Sequence, residues 1–177
     1  MMKKLTLSIL VLSALFGANA QANNTITFLG EVSDQTCEVA VNGNATNPVV
    51  LLPVVSTADL ASVGAVAGET PFTISVSGCT VSATDALPIK TVFVANNVTA
   101  SGNLVNTGTA TNVALQILDS VGGAGVNLTT VNTVEGLNVA IGESSASHDF
   151  AVQYISEAGT ATAGTVVGVV QYAISYL

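Results

Sequence analysis

The residues whose side chains could do chemistry are a histidine followed directly by an aspartate, His148 and Asp149, and two cysteines, Cys37 and Cys79. A hydrolytic triad needs a nucleophile, a histidine and a carboxylate within hydrogen-bonding reach of one another. Neighbouring residues of a β-strand point to opposite faces. His148 and Asp149 fall in a predicted strand, so they cannot form such a pair. We interpret His148 as a surface residue at the start of that strand.

Other catalytic patterns are absent from the sequence. It contains no phosphate-binding P-loop, no HExxH zinc motif and no Gly-x-Ser-x-Gly nucleophile turn. The acidic residues are scattered singly and do not form the carboxylate pair that glycoside hydrolysis requires. We therefore expect no catalytic residues, no metal site, no cofactor and no enzymatic activity.

The first twenty residues have the pattern of a secretory signal peptide. Lys3 and Lys4 form a basic start, residues 5–16 are apolar, and the residues ending at Ala20 fit the small-x-small cleavage pattern. A transmembrane helix needs about 20 apolar residues, and this run is shorter. We predict export with cleavage after Ala20, or alternatively after Ala22, and no stable insertion in a membrane.

Export leaves a chain with almost no positive charge. Lys90 is the only basic residue after the predicted signal, against eleven acidic residues. Phosphate backbones are bound by clusters of Lys and Arg, so nucleic acid is excluded as a natural partner. Only 8% of the residues are charged, whereas about 25% is typical of soluble domains. The surface must therefore consist mainly of small polar residues and backbone.

Both cysteines lie in the exported part of the chain. An oxidising compartment favours a disulfide, and two cysteines allow a single intramolecular pairing. A bond between Cys37 and Cys79 would stabilise the fold by roughly 4 kcal/mol in the chain-entropy model. A metal site is the alternative, but two thiols without a nearby histidine supply too few ligands.

Nearly the whole exported chain has the period-two alternation and β-branched composition of short strands. Stretches rich in Gly, Asn, Ser and Thr separate these strands as turns, and only residues 58–63 favour a helical turn, with Thr57 as its cap. Many short strands at this spacing favour an antiparallel sandwich. The predicted strands cover residues 25–32, 71–76, 89–95, 113–118, 150–155 and 166–177.

The two ends of the exported chain, taken with the cysteines, carry a family resemblance. The matching segments are residues 25–32 before Cys37, residues 60–72 before Cys79, residues 111–119, and a C-terminal motif with Gly164 and a penultimate Tyr176. This arrangement resembles the chaperone–usher fimbrial pilins, in particular the major rod subunits of type 1-like fimbriae. The resemblance covers essentially the whole exported chain.

The resemblance implies an all-β fold, an incomplete immunoglobulin-like antiparallel sandwich that a donor strand from a neighbouring subunit completes. Residues 1–20 would be the signal peptide, residues 21–34 the N-terminal donor-strand extension, and residues 35–177 the pilin domain. Every second side chain of an added strand enters the groove that receives it. The inward-facing donor residues are then Ile26, Phe28, Gly30 and Val32.

The resemblance also implies partners and a location. A periplasmic chaperone would fill the groove with its own strand, and an outer-membrane usher would pass the subunit on. The chain would then form a helical homopolymer, with other pilins, in a fimbria at the cell surface that supports cell adhesion. The residues that match the chaperone-contacting edge of the groove are Gly164, Tyr172, Ile174, Tyr176 and the carboxylate of Leu177.

Four other interpretations remain open from the sequence. Residues 25–32 could be the first strand of a closed sandwich, and the chain could be a minor adaptor pilin of the same system. A small outer-membrane β-barrel needs two girdles of aromatic residues, for which this chain has too few. A secreted adhesive domain is the fourth alternative, although a tip adhesin would need a further domain, for which there is no room between Ala20 and Cys37.

Overall fold

The computed structural model describes residues 30–33 and 37–176. The predicted signal peptide, the donor residues Ile26 and Phe28, and Leu177 lie outside the described residues. The described part contains eight strands and no helix that is long and apolar enough to cross a membrane. The strands are β1 (Glu38–Val41), β2 (Val66–Ser77), β3 (Leu87–Val94), β4 (Leu104–Val105), β5 (Ala114–Leu118), β6 (Asn132–Val139), β7 (Ala146–Ile155) and β8 (Gln171–Ser175).

The strands form two antiparallel sheets. The five-stranded sheet has the order β1-β2-β7-β5-β4, and the three-stranded sheet has the order β6-β3-β8. Strands that follow one another in sequence often lie in different sheets, which is typical of an immunoglobulin-like sandwich. The predicted all-β antiparallel sandwich is therefore confirmed.

The core lies between the sheets and is centred on three phenylalanines. Phe150 of β7 is fully buried; its ring centroid lies 5.7 Å from that of Phe72 on β2 and 5.2 Å from that of Phe93 on β3. The contact with Phe93 is edge-on and joins the two sheets. Burial of each large apolar side chain contributes about 1.5–3 kcal/mol to the free energy of unfolding. This cluster therefore stabilises the packing of the two sheets.

The predicted disulfide is present. It joins Cys37 to Cys79, whose Cα atoms are 4.5 Å apart. Cys37 precedes β1 and Cys79 follows β2, and the first pair of that antiparallel ladder is Glu38 opposite Ser77. The bond therefore fastens the edge strand β1 to its neighbour at the end where the ladder begins.

Three strands were not predicted, and the five predicted strands that the structure describes all have different bounds; β2 and β7 begin five and four residues earlier than predicted. β1 and β4 are short, and β6 contains Asn, Glu and Gly, which β-propensity disfavours. The predicted C-terminal strand 166–177 is observed as β8 over 171–175 only. Residues 56–60 form a turn in which the Oγ of Ser56 accepts from the N–H of Ala58, so Ser56 and not Thr57 caps it.

Candidate functional site

β8 is an edge strand whose outer side has no partner among the described residues. On its inner side it pairs with β3, and Thr91 lies opposite Ile174. The backbone groups of a strand point alternately to its two sides, so half of those along β8 face away from β3. A row of unpaired N–H and C=O groups is a template for another strand.

The side chains along this edge alternate regularly over a stretch longer than β8 itself. From residue 166 to residue 174 the even-numbered positions are half-buried and the odd-numbered positions are exposed. The even-numbered apolar side chains contact the main core, although each keeps part of its surface in solvent. They are Val166, Val170, Tyr172, Ile174 and, beyond the strand, Tyr176.

Two glycines let this edge lie close to its neighbours. A Cβ on Gly164 would lie 2.4 Å from the backbone N of Ala110, and a Cβ on Gly168 would lie 2.9 Å from Cδ1 of Leu115. The first clash involves backbone, which cannot rotate away. Gly164 is therefore required by close packing of residues 164–167 against residues 107–110, a reason that the sequence alone did not reveal.

A second segment, residues 48–55, forms the other rim and belongs to no ladder among the described residues. Val50 and Leu52 are half-buried and contact the core, whereas Val49, Leu51 and Val54 between and beyond them are almost fully exposed. The segment has the alternation of a strand but belongs to neither sheet. Within this segment the backbone carbonyl of Pro53 accepts a hydrogen bond of 3.0 Å from the hydroxyl of Tyr154.

The two rims share one apolar depression. A cavity of about 250 Å³ is lined by residues 52–57 from one rim and by residues 161–164 and Val166 from the other. Leu60, Val113 and Tyr154 form further parts of its wall. Among the described residues the sandwich therefore has an open depression, lined mainly by apolar side chains, beside a strand edge that belongs to a ladder on one side only.

Tyr176 fixes the C-terminal end of the groove. Its hydroxyl accepts a hydrogen bond from the N–H of Cys37 at 3.0 Å, next to the disulfide. Its own N–H donates to the carboxylate of Glu31 at 3.1 Å, and the Ser175 hydroxyl donates to the same carboxylate at 2.8 Å. The last part of the groove edge is thus held by Cys37, at the start of the pilin domain, and by Glu31, in the predicted donor-strand extension.

Three of the predicted edge residues, Tyr172, Ile174 and Tyr176, are half-buried along the same edge, and Gly164 packs against Ala110 eight residues before Tyr172. The predicted donor residues Gly30 and Val32 belong to a short exposed segment, and the Val32 side chain is entirely in solvent. The rim at residues 48–55 was missed by sequence reasoning. The apolar residues around Val50 and Leu52 were the available signal, but the two prolines of the segment obscured it.

His148 and Asp149 do point to opposite faces, as the alternation predicts. The Asp149 carboxylate is exposed and accepts a hydrogen bond of 2.6 Å from Thr73. His148 is not simply a surface residue: it is half-buried, its ring lies edge-on to Phe150 with centroids 4.6 Å apart, and its Nε2 lies 2.8 Å from the carbonyl oxygen of Asp119. These contacts give His148 a packing role.

Comparison with known proteins places these features in one family. The family model described as fimbrial protein matches residues 26–177. The F17 fimbrial protein of Escherichia coli is 38% identical, with 94% of this chain and 96% of the relative covered. The major fimbrial subunit SMF-1 of Stenotrophomonas maltophilia is also 38% identical, with 93% and 98% covered.

Two solved structures share the fold. One is a subunit of a chaperone–usher pilus studied for rod uncoiling, with a TM-score of 0.60, 18% identity, and 89% of this chain and 97% of that chain covered. The other is the P pilus rod subunit PapA, with a TM-score of 0.60, 14% identity, and 79% and 99% covered.

Proposed function

This chain belongs to the fimbrial protein family and is a subunit of a chaperone–usher pilus at the cell surface, and we propose that it polymerises by donor-strand exchange. In this proposal residues 21–34 of one copy enter the groove of the next copy and complete its sandwich. Residues 1–20 are the signal peptide, residues 35–177 are the pilin domain, and the chain has a structural and not an enzymatic role.

The observation that carries the proposal is that β8 is the last strand of its sheet among the described residues, and that the apolar side chains along this edge are half-exposed. Unpaired backbone groups cost free energy when they are buried, and exposed apolar surface costs about 25 cal/mol per Å². An added strand removes both costs at once, because its backbone pairs with the edge and its alternate side chains fill the groove. In this proposal residues 48–55 and residues 166–176 are the two sides of the groove that receives the strand.

The inward-facing residues of the donor segment suit such a groove. Ile26, Phe28 and Val32 would each contribute about 1.5–3 kcal/mol on full burial. Gly30, on the same face, would fit where the groove leaves no room for a side chain. The exposure of Gly30 and Val32 in the subunit to which they belong supports this role, because these residues stay available to another copy.

Before assembly the groove needs another occupant. We propose that a periplasmic chaperone supplies a strand to the edge formed by Gly164, Tyr172, Ile174 and Tyr176, and that it binds the carboxylate of Leu177 with basic side chains. An outer-membrane usher then exchanges this strand for the donor segment of the next subunit. The product is a helical homopolymer that also joins other pilins and supports cell adhesion.

The proposal can be tested with a synthetic peptide of residues 21–34. Incubated with the purified chaperone–subunit complex, the peptide should displace the chaperone and leave a subunit–peptide complex that resists unfolding. A peptide of the same length with Ile26 and Phe28 exchanged for Asp is the matched control, because charged side chains cannot enter an apolar groove. Equal displacement by both peptides, or by neither, would contradict the proposal.

A further inference from the structure

The three-stranded sheet ends in two edge strands, β6 and β8, and the proposed function uses the edge of β8 alone. Among the described residues each of the two belongs to one ladder only, its ladder with β3. An edge strand is a template for strand addition unless charges, prolines or bulges disturb it. The two edges must therefore differ if strands are to add to β8 and not to β6.

The ladder between β8 and β3 is regular. Its pairs follow one another without a shift, from Ser175 opposite Lys90 to Gln171 opposite Val94. No residue of β8 carries a charge. The outer side of β8 therefore presents its backbone groups in the undisturbed order that an added strand needs.

The ladder between β6 and β3 is interrupted by a β-bulge. Two residues of β6, Glu135 and Gly136, stand opposite the single residue Lys90 of β3, because the register shifts by one at this point. A bulge bends its strand and increases the local twist. Gly136 has a φ of 140°, a conformation that favours glycine, and the Glu135 side chain is exposed. A strand that approached β6 would meet a bent backbone and a negative charge.

The apolar residues of β6 have the spacing that a bulge requires. Leu137 and Val139 are buried and lie two residues apart, as in a regular strand, whereas the next residue that packs against the core is Val134, three residues before Leu137. In a strand without a bulge Glu135 would point to the core in place of Val134. Burial of an unpaired carboxylate is far more costly than burial of a valine, so these side chains favour the bulge.

His148 of β7 packs directly against the bulge. A Cβ on Gly136 would lie 2.6 Å from Cγ of the His148 ring, so only glycine lets the ring come this close to the backbone of β6. The ring also makes the edge-on contact with Phe150, and its Nε2 lies 2.8 Å from the carbonyl oxygen of Asp119. Because these contacts hold the ring in place, the ring in turn fixes the position of the bulge.

We propose that the bulge at Glu135 and Gly136, fixed by the His148 ring, closes the edge of β6 to strand addition and confines strand addition in this sheet to β8. The inference rests on the proposed function and deepens it, since it concerns which edge receives the donor strand. Glu135 and Gly136 determine the specificity for the edge, and His148 is a positioning residue that acts through Gly136. Without the bulge, two copies would pair through β6 while their grooves are occupied, and such pairs would be diverted from the fibre.

The test uses the full exported chain in complex with its periplasmic chaperone, because the chaperone strand then occupies the edge of β8. The variant combines deletion of Gly136 with Glu135→Gln. The deletion brings Val134, Leu137 and Val139 into strict alternation, so the inward face of β6 is kept. Glu135→Gln alone is the matched control, because it removes the same charge and keeps the bulge. Light scattering measures the stoichiometry of the complexes, and amide hydrogen exchange locates the contact between copies.

A second pair of variants tests His148 without changing the length of β6. In the Glu135→Gln background, His148→Ala removes the ring from the bulge, whereas His148→Phe keeps a ring against Gly136. We expect His148→Ala to produce paired complexes and His148→Phe to restore single ones. A residue with a packing role alone would change the stability of the subunit but not its pairing through β6.

We expect the wild type and Glu135→Gln to remain complexes of one subunit with one chaperone. Complexes of the deletion variant should pair with a dissociation constant at least about tenfold lower than that of Glu135→Gln, with the amides of residues 132–139 protected from exchange. Single complexes from every variant would overturn the inference, and so would pairing without protection of these amides.

If the deletion variant yields no chaperone complex, the two His148 variants decide the question by themselves. Equal stoichiometry for His148→Ala and His148→Phe would then overturn the inference. Absence of a chaperone complex from the wild-type chain would instead overturn the proposed function.

Discussion

The hydroxyl of Tyr176 accepts a hydrogen bond from the backbone N–H of Cys37 at 3.0 Å, although 139 residues separate the two in sequence. This bond joins the end of the groove edge to the disulfide that fastens β1 to β2. The geometry of the groove therefore depends on the hydrogen bond between Tyr176 and Cys37 as well as on its apolar lining.

Removal of this hydroxyl should weaken the end of the groove. We expect Tyr176→Phe to lower the free energy of unfolding of the peptide-complemented subunit by about 0.5–1.5 kcal/mol, the usual net contribution of one hydrogen bond. Tyr172→Phe is the matched control, because no hydrogen bond of its hydroxyl is found among the described residues. Denaturant unfolding of both variants provides the comparison, and equal losses would contradict the role given to Tyr176.

Tyr154 should make the stability of the groove rim sensitive to alkaline pH. Its hydroxyl donates to the carbonyl of Pro53, and burial raises the pKa of Tyr154 above its ordinary value of 10.0. A group whose pKa is raised by folding contributes to the free energy of unfolding. This contribution is complete below the unfolded-state pKa of 10.0 and is lost as the pH rises through the folded-state pKa. Above pH 10.0 the free energy of unfolding of the wild type should therefore decrease more than that of Tyr154→Phe.

The measurement is the difference in unfolding free energy between wild type and Tyr154→Phe, taken at about pH 8 and again above the ordinary tyrosine pKa. Contributions that the two proteins share cancel in the difference. A difference that stays constant across this range would show that Tyr154 does not titrate differently in the folded state.

The disulfide should be needed for a stable exported subunit. Cys37→Ser removes the bond and with it roughly 4 kcal/mol in the chain-entropy model, so the amount of subunit in the periplasm should fall sharply. Cys79→Ser should have the same effect, and the double variant should be no worse than either single one. Two free thiols detected by mass spectrometry in the exported wild-type protein would refute the prediction.

Gly30 should be the donor position least tolerant of a side chain. We expect Gly30→Leu to block or slow polymerisation while the chaperone-bound subunit accumulates normally, because overpacking costs about 1–3 kcal/mol. Glu31→Gln is the control; it faces away from the groove in the donor strand and keeps an oxygen that can accept from Tyr176. The readout is fibre yield by heat-dissociation ladders, and equal yields for wild type and Gly30→Leu would reject the donor register.

The sequence predicted the parts of the fold whose side chains alternate strongly. In β2 the residues Phe72, Ile74 and Val76 are buried as predicted, because strict alternation of β-branched and aromatic residues is typical of a strand with one buried face. The central strand β7 is less regular: Ala151 is as fully buried as Phe150. This strand is covered on both sides, and a pattern based on one buried face does not describe it.

The groove could be predicted only in part, for a physical reason. Residues 166–170 and residues 48–55 carry a strand pattern, but neither segment belongs to a ladder among the described residues. The alternation of apolar residues in a segment reflects its burial in the assembled fibre. The hydrogen bonds within one subunit show only the strand partners that the same subunit supplies. Sequence pattern and observed strand pairing therefore differ most at the groove.

The most direct test of donor-strand exchange is a high-resolution structure of the assembled fibre. The account predicts that residues 26–32 of one copy lie alongside residues 166–176 of the next copy, with Ile26, Phe28 and Val32 facing its core and Gly30 at the narrowest point. A fibre in which that edge is left unpaired, or is filled by the N-terminal segment of the same copy, would contradict it.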